Sequence, residues 1–505
     1  MRLNEVSGAP RAVFVPRFLC LSILILTLIA GAGVVGHAAK GPASGTPLVP
    51  ASKADRAEAR DIFKQLIEIN TTDSPQGSVT AGTQAMEKRF LDAGFPREDV
   101  VLLGPDPRKQ NLVVRFRAPS GQPAEKPVLF LCHMDVVQAL RSDWHTDPFQ
   151  FVEKGGYFYG RGTQDMKDSD AALVATFLRL HREGYKPRRD LILALTADEE
   201  GGRFNGAAWL VQQHRELVDA AYVINPDSGG VELDHGRAVV ADVEATEKVY
   251  ADYQVTATNP GGHSSRPRPD NAIYELMAAL NKLQAYTFPF ELNEITRTYF
   301  QNLATKETGQ TADDIHAILA TPPDPAAAAR LSAEPSFNSN FRTTCVATRL
   351  FGGHANNALP QTAQANVNCR IFPGHSPEEI RQQLITVFDD PRLTVKYVSD
   401  AGVVSDAAPE RKAIAPPAPI TEVFEPLTRL TQAIWPGTPV TPVMENGASD
   451  SIYFAQAGIP CYGYSAIALE RDDDRAHGQD ERLPVDSYWK SLDFFYAFVK
   501  ELGTK

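Results

Sequence analysis

The stretch DLILALTADEEGG, Asp190 to Gly202, sets the terms for the rest of the chain. An apolar run of strand length ends in Asp198, Glu199, Glu200 and two glycines. Adjacent carboxylates at the tip of a buried strand repel one another unless something cationic compensates them. Upstream, NLVVRFRA (Asn111–Ala118) and PVLFLCHMDVV (Pro127–Val137) read as strands, and AYVINPD (Ala221–Asp227) as another. Between them, SDAALVATFLRLHREG (Ser169–Gly184) carries Val174, Phe177 and Leu178 at helical spacing, and a second helix is expected over Gly206–Leu217. Strands alternating with helices predict an α/β layer with a mostly parallel central sheet.

The rhythm changes after Glu247. KVYADYQVTAT (Lys248–Thr258) alternates like a half-exposed strand. A helix over Asn271–Ala285, a less regular stretch over Tyr286–Thr344, a strand over Thr362–Phe372, a helix over Pro377–Phe388 and a strand over Arg392–Ser399 follow. This reads as a smaller α+β unit inserted into the α/β domain. GIPCYGYS (Gly458–Ser465) reads as a strand and Val485–Leu502 as a closing helix. The expected organisation begins with a signal segment (1–39) and a linker (40–52). A catalytic domain in two segments (53–247 and 407–505) follows, interrupted by an inserted lid or dimerisation unit (248–406).

At 505 residues, with 43% hydrophobic and 22% charged residues, the composition is that of a globular protein with room for a large core. A net charge of −12 argues against nucleic acid as partner. Arg2, Arg11 and Arg17 precede the apolar run Phe18–Ala39, as in a secretory signal, which implies a secreted or periplasmic protein. Left uncleaved, the run is long enough to anchor the chain in a membrane. With Cys20 inside that run, Cys132, Cys345, Cys369 and Cys461 remain; their disulfide state is open.

Ligands of open parallel sheets bind beyond the carboxyl ends of the strands. There the sequence places His133 and Asp135 (LCHMDVV), Asp165 (GRGTQDMKD), Glu199 and Glu200 (TADEEGG) and Asp227 (INPDSGG). So many acids on one edge call for divalent cations, and imidazole with carboxylate suits zinc. Residues i and i+2 of a strand share a side, so Asp135 is expected to hydrogen-bond the second ring nitrogen of His133. Glu199 and Glu200 diverge, so one can hold metal while the other faces water.

These motifs, in this order and with RAHGQDE near the end, resemble the M20 metallopeptidases, the group of aminoacylases, carnosinases and glutamate carboxypeptidases. The resemblance implies two zinc ions, with cobalt or manganese as substitutes. Asp165 would bridge them, His133 and Asp227 would complete one site, and Glu200 and His477 the other. It makes Glu199 the general base towards a metal-bridging water and Asp135 the residue that orients His133. NPGGHSSRP supplies His263, which would polarise the scissile carbonyl, often in the partner subunit's site. NNALPQTAQANVNCR supplies Asn357 and Arg370 for the substrate, Arg370 for its carboxylate. Asn446–Ser451 would be a substrate-site loop. Asp168 and Asn368 depart from the family's usual Gly and Asp. The long Tyr286–Thr344 stretch is closest to the larger, secreted carboxypeptidase-like branch. The implied activity is a zinc exopeptidase of carboxypeptidase or dipeptidase type acting on short peptides with a free carboxylate. The alternative is an N-acyl-amino-acid amidohydrolase using the same site. Homodimerisation through the inserted unit is implied as well.

Overall fold

The computed structural model describes residues 45–119, 125–399, 402–409, 416 and 418–505. The signal segment and Cys20 lie outside the described residues, as do the first residues of the 40–52 linker.

The central sheet has six strands in the order Val100–Leu103, Asn111–Phe116, Leu191–Thr196, Val128–His133, Tyr222–Ile224, Cys461–Tyr462. The first two pairings are antiparallel and the other three parallel. Successive side chains of a strand point to opposite faces, and here both faces are dry. Val128, Phe130, Cys132, Leu191, Leu193 and Leu195 enter one core. It is closed by the helices Lys53–Glu68, Lys167–Arg182 and Val485–Leu502. Leu129, Leu131, Ile192 and Ala194 enter another, under the helix Gly206–Gln213. Double coverage explains why these strands read as continuous apolar runs. Gly458–Ser465 is strand only at Cys461–Tyr462.

A four-stranded sheet contains Val440–Glu445, Arg237–Glu247, Gly230–Asp234 and Ala468–Glu470, in that order. The hairpin inside it turns at His235 (φ 51°) and Gly236 (φ 77°), the two left-handed positions that a tight hairpin requires.

Residues after Val249 build a five-stranded antiparallel sheet: Thr344–Gly352, Thr362–Ile371, Val249–Thr258, Leu393–Val398, Val404–Ser405. The helices Ala272–Ala285 and Pro377–Phe388 cover one face, over Ala251, Tyr253, Val255, Val367 and Cys369. The other face carries Tyr250, Asp252, Gln254, Asn366, Asn368 and Arg370 and is half-buried or exposed. A disulfide joins Cys345 to Cys369 across paired strands, while Cys132 and Cys461 are free and buried.

Tyr286–Thr344 departs from expectation. It is largely helical: Glu294–Ala304, Gly309–Leu319, Pro325–Leu331 and Pro335–Asn340. These helices are short and start on Asn293, Thr308, Asp324 and Glu334, two of them with Pro in the first turn. Each is too brief to show several repeats of an apolar stripe. Together they bury Phe300, Ile315, Ile318, Leu331 and Phe341 in a core of their own. The first of them packs on the strand Val440–Glu445.

Among the described residues, no helix is long and apolar enough to cross a membrane.

Candidate metal centre

The parallel strands Val128–His133, Leu191–Thr196 and Tyr222–Ile224 deliver their carboxyl ends to one edge. His133 closes the first and is 2% exposed. Its Nδ1 donates to the backbone carbonyl of Asp135 at 3.0 Å, which turns the Nε2 lone pair outward. Nε2 then lies 2.9 Å from Asp165 Oδ1 and 3.3 Å from Asp227 Oδ1.

The expected route from Asp135 to His133 is corrected here. The Asp135 carboxylate stays 3.9 Å from Nδ1. It accepts instead from the backbone N–H of Glu199 at 3.2 Å and of Glu200 at 3.0 Å. The main chain of Asp135 orients the imidazole, and its side chain fixes the turn that carries both glutamates. That turn begins at Asp198, held at φ 59° and ion-paired to the buried Lys109.

Asp165 sits in the turn before the helix Lys167–Arg182 and is joined to Met166 by a cis peptide bond. Glu481 anchors this turn, accepting from Gly162 N at 3.1 Å, Gln164 N at 2.7 Å and Asp165 N at 3.3 Å. Arg161 pairs with Glu481 at 2.5 Å and donates to the carbonyls of His477 and Gly478. One buried ion pair thus ties the Asp165 turn to the His477 loop. His477, at φ 61°, points Nε2 to Asp165 Oδ2 at 2.8 Å and Glu200 Oε2 at 2.9 Å.

The ligands expected from the sequence therefore form two donor groups, His133–Asp165–Asp227 and Asp165–Glu200–His477. The groups share Asp165 through its two oxygens. Glu199 precedes Glu200 in the same turn, with its backbone N–H on Asp135. Burial, reinforced by the charge of Asp227, pushes the Glu199 carboxyl well up. Burial pushes Asp135 up to about 7. Hydrogen bonds to Asp165 and Glu200 raise the His477 imidazole to about 10. Each triplet offers one nitrogen and carboxylate oxygens to a common point. That donor set fits a divalent ion such as zinc, whose charge would relieve the acid surplus.

Residues without a strong sequence signal complete the setting. Asp450 accepts from Thr196 Oγ1 at 3.0 Å and Asn205 Nδ2 at 2.7 Å, and Glu247 Oε2 accepts from Ser449 N at 2.6 Å. Asp450 lies in the Asn446–Ser451 loop, and Glu247 is bonded to it. The RAHGQDE motif contains Glu481, but its buried role depends on the distant Arg161.

His263 and Asn357 are brought together, away from this cluster. His263 pairs with Ala358 across a two-stranded ribbon, and Ser264 N donates to the Asn357 carbonyl at 3.0 Å. His263 is exposed and accepts at Nδ1 from Ser265 N at 3.1 Å. Among the described residues no hydrogen bond or ion pair links the ribbon to the Asp165 cluster. Arg370 lies on the open face of the five-stranded sheet, its guanidinium 4.8 Å from the centre of the Tyr250 ring. Asn368, where the family usually has an acid, donates to Asp252 on the paired strand at 3.0 Å, so the negative charge is kept one strand over.

The sequence from 129 to 501 matches the model of peptidase family M20/M25/M40. The chain belongs to that family. It is 26% identical over 504 residues to the human N-fatty-acyl-amino acid synthase/hydrolase PM20D1, covering 97% of both chains. It is 29% identical to a probable carboxypeptidase S-like 2 of Dictyostelium discoideum, over 74% of this chain and 71% of that protein. Its fold resembles an M20 metallo-carboxypeptidase of Sulfolobus solfataricus (TM-score 0.65, 15% identity, 88% of this chain and 99% of that one). It also resembles the dipeptidase Dug1p of Saccharomyces cerevisiae (TM-score 0.60, 15% identity, 89% and 96%). This M20 protein is an enzyme of the metallopeptidase and amidohydrolase class, a metal-dependent peptidase or N-acyl amino acid hydrolase.

Proposed function

We propose that this M20 enzyme hydrolyses the amide bond of N-acyl amino acids that carry a free carboxylate. The observation that carries the hydrolytic chemistry is the pair of His–carboxylate groups sharing Asp165, with Glu199 beside them. His133, Asp165 and Asp227 would hold one zinc ion, and Asp165, Glu200 and His477 a second. Bound there, the ions would supply Lewis acidity to a water and to the scissile carbonyl. Glu199 takes the proton of the attacking water and returns it to the leaving amine nitrogen. Asp135 keeps Glu199 in place by holding its backbone N–H. Arg370 would receive the substrate carboxylate and Asn357 would contact the substrate. A cleft of about 420 Å³ opens from Gly229, two residues beyond Asp227, and is lined by Met444, Glu445, Tyr299 and Asn340.

The acyl-amino-acid reading is supported by similarity to PM20D1 along 97% of both chains. Exopeptidase action on short peptides is the second reading, favoured by similarity to the carboxypeptidase S-like relative. Incubation of metal-loaded protein with N-acyl amino acids and di- and tripeptides, followed by mass spectrometry, separates them. Release of amino acid from acyl substrates alone supports the first reading; cleavage of peptides alone overturns it.

His263 would polarise the carbonyl in the partner subunit's site of a homodimer. In support, the edge strand Thr344–Gly352 and the adjoining helix expose Val346, Leu350, Phe351, Tyr274 and Met277, an apolar surface on a sheet edge. A monomer by sedimentation with full activity would remove this element of the proposal. The Cys345–Cys369 disulfide supports export to an oxidising compartment through the N-terminal segment. Cell fractionation, with the mature N-terminus sequenced, tests it.

A further inference from the structure

A cavity of about 220 Å³ lies where the chain passes from the four-stranded sheet into the five-stranded one. Its walls come from three places. One is residues 244–247 and Val249, where the strand Arg237–Glu247 gives way to Val249–Thr258. The second is the turn at 373–377, between the strand Thr362–Ile371 and the helix Pro377–Phe388. The third is the helix Ser451–Gln456 with the turn into the strand Cys461–Tyr462. Val249, Pro373, Pro377, Ile452, Ala455 and Ile459 make the lining largely apolar. None of the metal-centre ligands lines it.

Two buried acids belong to this apolar wall. Glu247 is 5% exposed and Glu244 2%. Glu247 Oε2 accepts from Ser449 N at 2.6 Å, but its Oε1 has no hydrogen-bond partner among the described residues. Glu244 Oε2 accepts from Ser228 Oγ. The one basic group in the lining, His375, is already taken: its ring nitrogens lie 2.9 Å from Glu379 Oε1 and 2.9 Å from Glu291 Oε2. A buried polar atom left unpaired costs its hydration and calls for a partner. Burial, reinforced by the charge of Glu244, pushes the Glu247 carboxyl well up, and burial pushes Glu244 up to about 8. A positive group brought into the cavity would favour the ionised form of both.

The volume is room for about seven groups the size of water. We propose that the cavity binds a small primary amine, an ammonium head on an apolar body of about six carbons. The head donates to Glu247 Oε1, and the body lies against Val249, Ile452 and Ala455. Two hydrogen bonds separate this wall from a metal ligand: Ser451 Oγ accepts from Asn225 Nδ2 at 3.0 Å, and Asn225 Oδ1 accepts from Asp227 N at 3.3 Å. The site is therefore distinct from the metal centre. It stands apart from the hydrolase reading as well, because its occupancy is read without substrate or turnover.

The test is calorimetry of hexylamine, hexan-1-ol and hexanoate, which share a tail and differ in the head. Metal-loaded wild type, Glu247→Gln and Ala455→Phe are compared. Hexylamine should bind wild type about 10- to 100-fold more tightly than hexan-1-ol, the contribution of one charge-assisted hydrogen bond, and hexanoate should bind most weakly. Glu247→Gln should remove the preference for the amine and leave hexan-1-ol within a few-fold. Ala455→Phe puts a ring into the lining and should abolish binding of both, with metal content unchanged. Should that variant not fold, the Glu247→Gln comparison decides alone. Equal binding of hexan-1-ol and hexylamine to wild type, a preference for hexanoate, or no binding of hexylamine would each overturn the proposal. Hexylamine binding that survives Ala455→Phe, or that Glu247→Gln leaves unchanged, would place the amine elsewhere and overturn it too.

Discussion

Two places in this enzyme are charged in opposite senses, and both are out of balance. At the edge of the central sheet, Asp135, Asp165, Glu199, Glu200 and Asp227 surround the imidazoles of His133 and His477. At the end of the five-stranded sheet, the Lys248 amine is fully buried and has no hydrogen-bond partner among the described residues. Buried charge without a counter-charge is costly in either sign. Some other buried charges are paired: Arg161 meets Glu481, and Lys109 meets Asp198. The acid surplus at the first place marks where cations from outside the chain belong.

The largest expected effect breaks the acidic side of this comparison. Glu199→Gln keeps the shape and removes the proton acceptor, so kcat should fall about 10²- to 10⁴-fold with metal content unchanged. Steady-state kinetics with metal analysis of the same preparation checks it. Next is Asp135→Asn, which weakens the acceptor for two backbone N–H groups at once. A loss of about 10- to 100-fold in kcat or metal affinity is expected, as for other groups that position a metal site indirectly. If Asp135 acted only through its main chain on His133, this variant would be silent.

A smaller effect concerns the five-stranded sheet. Cys345→Ser with Cys369→Ser opens a loop spanned by a sequence separation of 24. The expected cost is about 2–4 kcal/mol of stability, read by denaturant titration under oxidising conditions. The smallest is a pH effect. Although burial opposes it, Glu291 and Glu379 raise the His375 imidazole above its usual value. A raised folded-state pKa gives stability that is fully present below the ordinary histidine value, about 6.5, and is lost as pH rises through the raised one. His375→Gln should therefore destabilise by less than about 1 kcal/mol at roughly pH 6 and by less still at about pH 9, in melts at both values.

Much of this is legible in the sequence, for physical reasons that differ by region. The apolar runs at 128–133 and 191–196 read clearly because both faces of those strands are covered. The helices Pro377–Phe388 and Val485–Leu502 carry long amphipathic patterns and clear boundaries. His133, Asp165, Glu200 and Asp227 stand out because each follows a strand or precedes a helix, whereas His477 lies in a loop and is marked only by the RAHGQDE motif. The helices of 294–340 do not, since each is short. The antiparallel half of the central sheet is also hidden, because a strand buried on both faces carries no mark of its direction. The side-chain role of Asp135 depends on where the 198–200 turn folds back, which spacing alone does not encode.

The most direct test of the central claim is metal stoichiometry by mass spectrometry, measured alongside turnover of an N-acyl amino acid, in wild type and in Asp165→Asn. Because Asp165 serves both donor groups, the account predicts two divalent ions per active wild-type chain. In the variant, both metal content and turnover should be lost. A fully active wild type holding fewer than one ion per chain, or an Asp165→Asn variant that keeps its turnover, would contradict it.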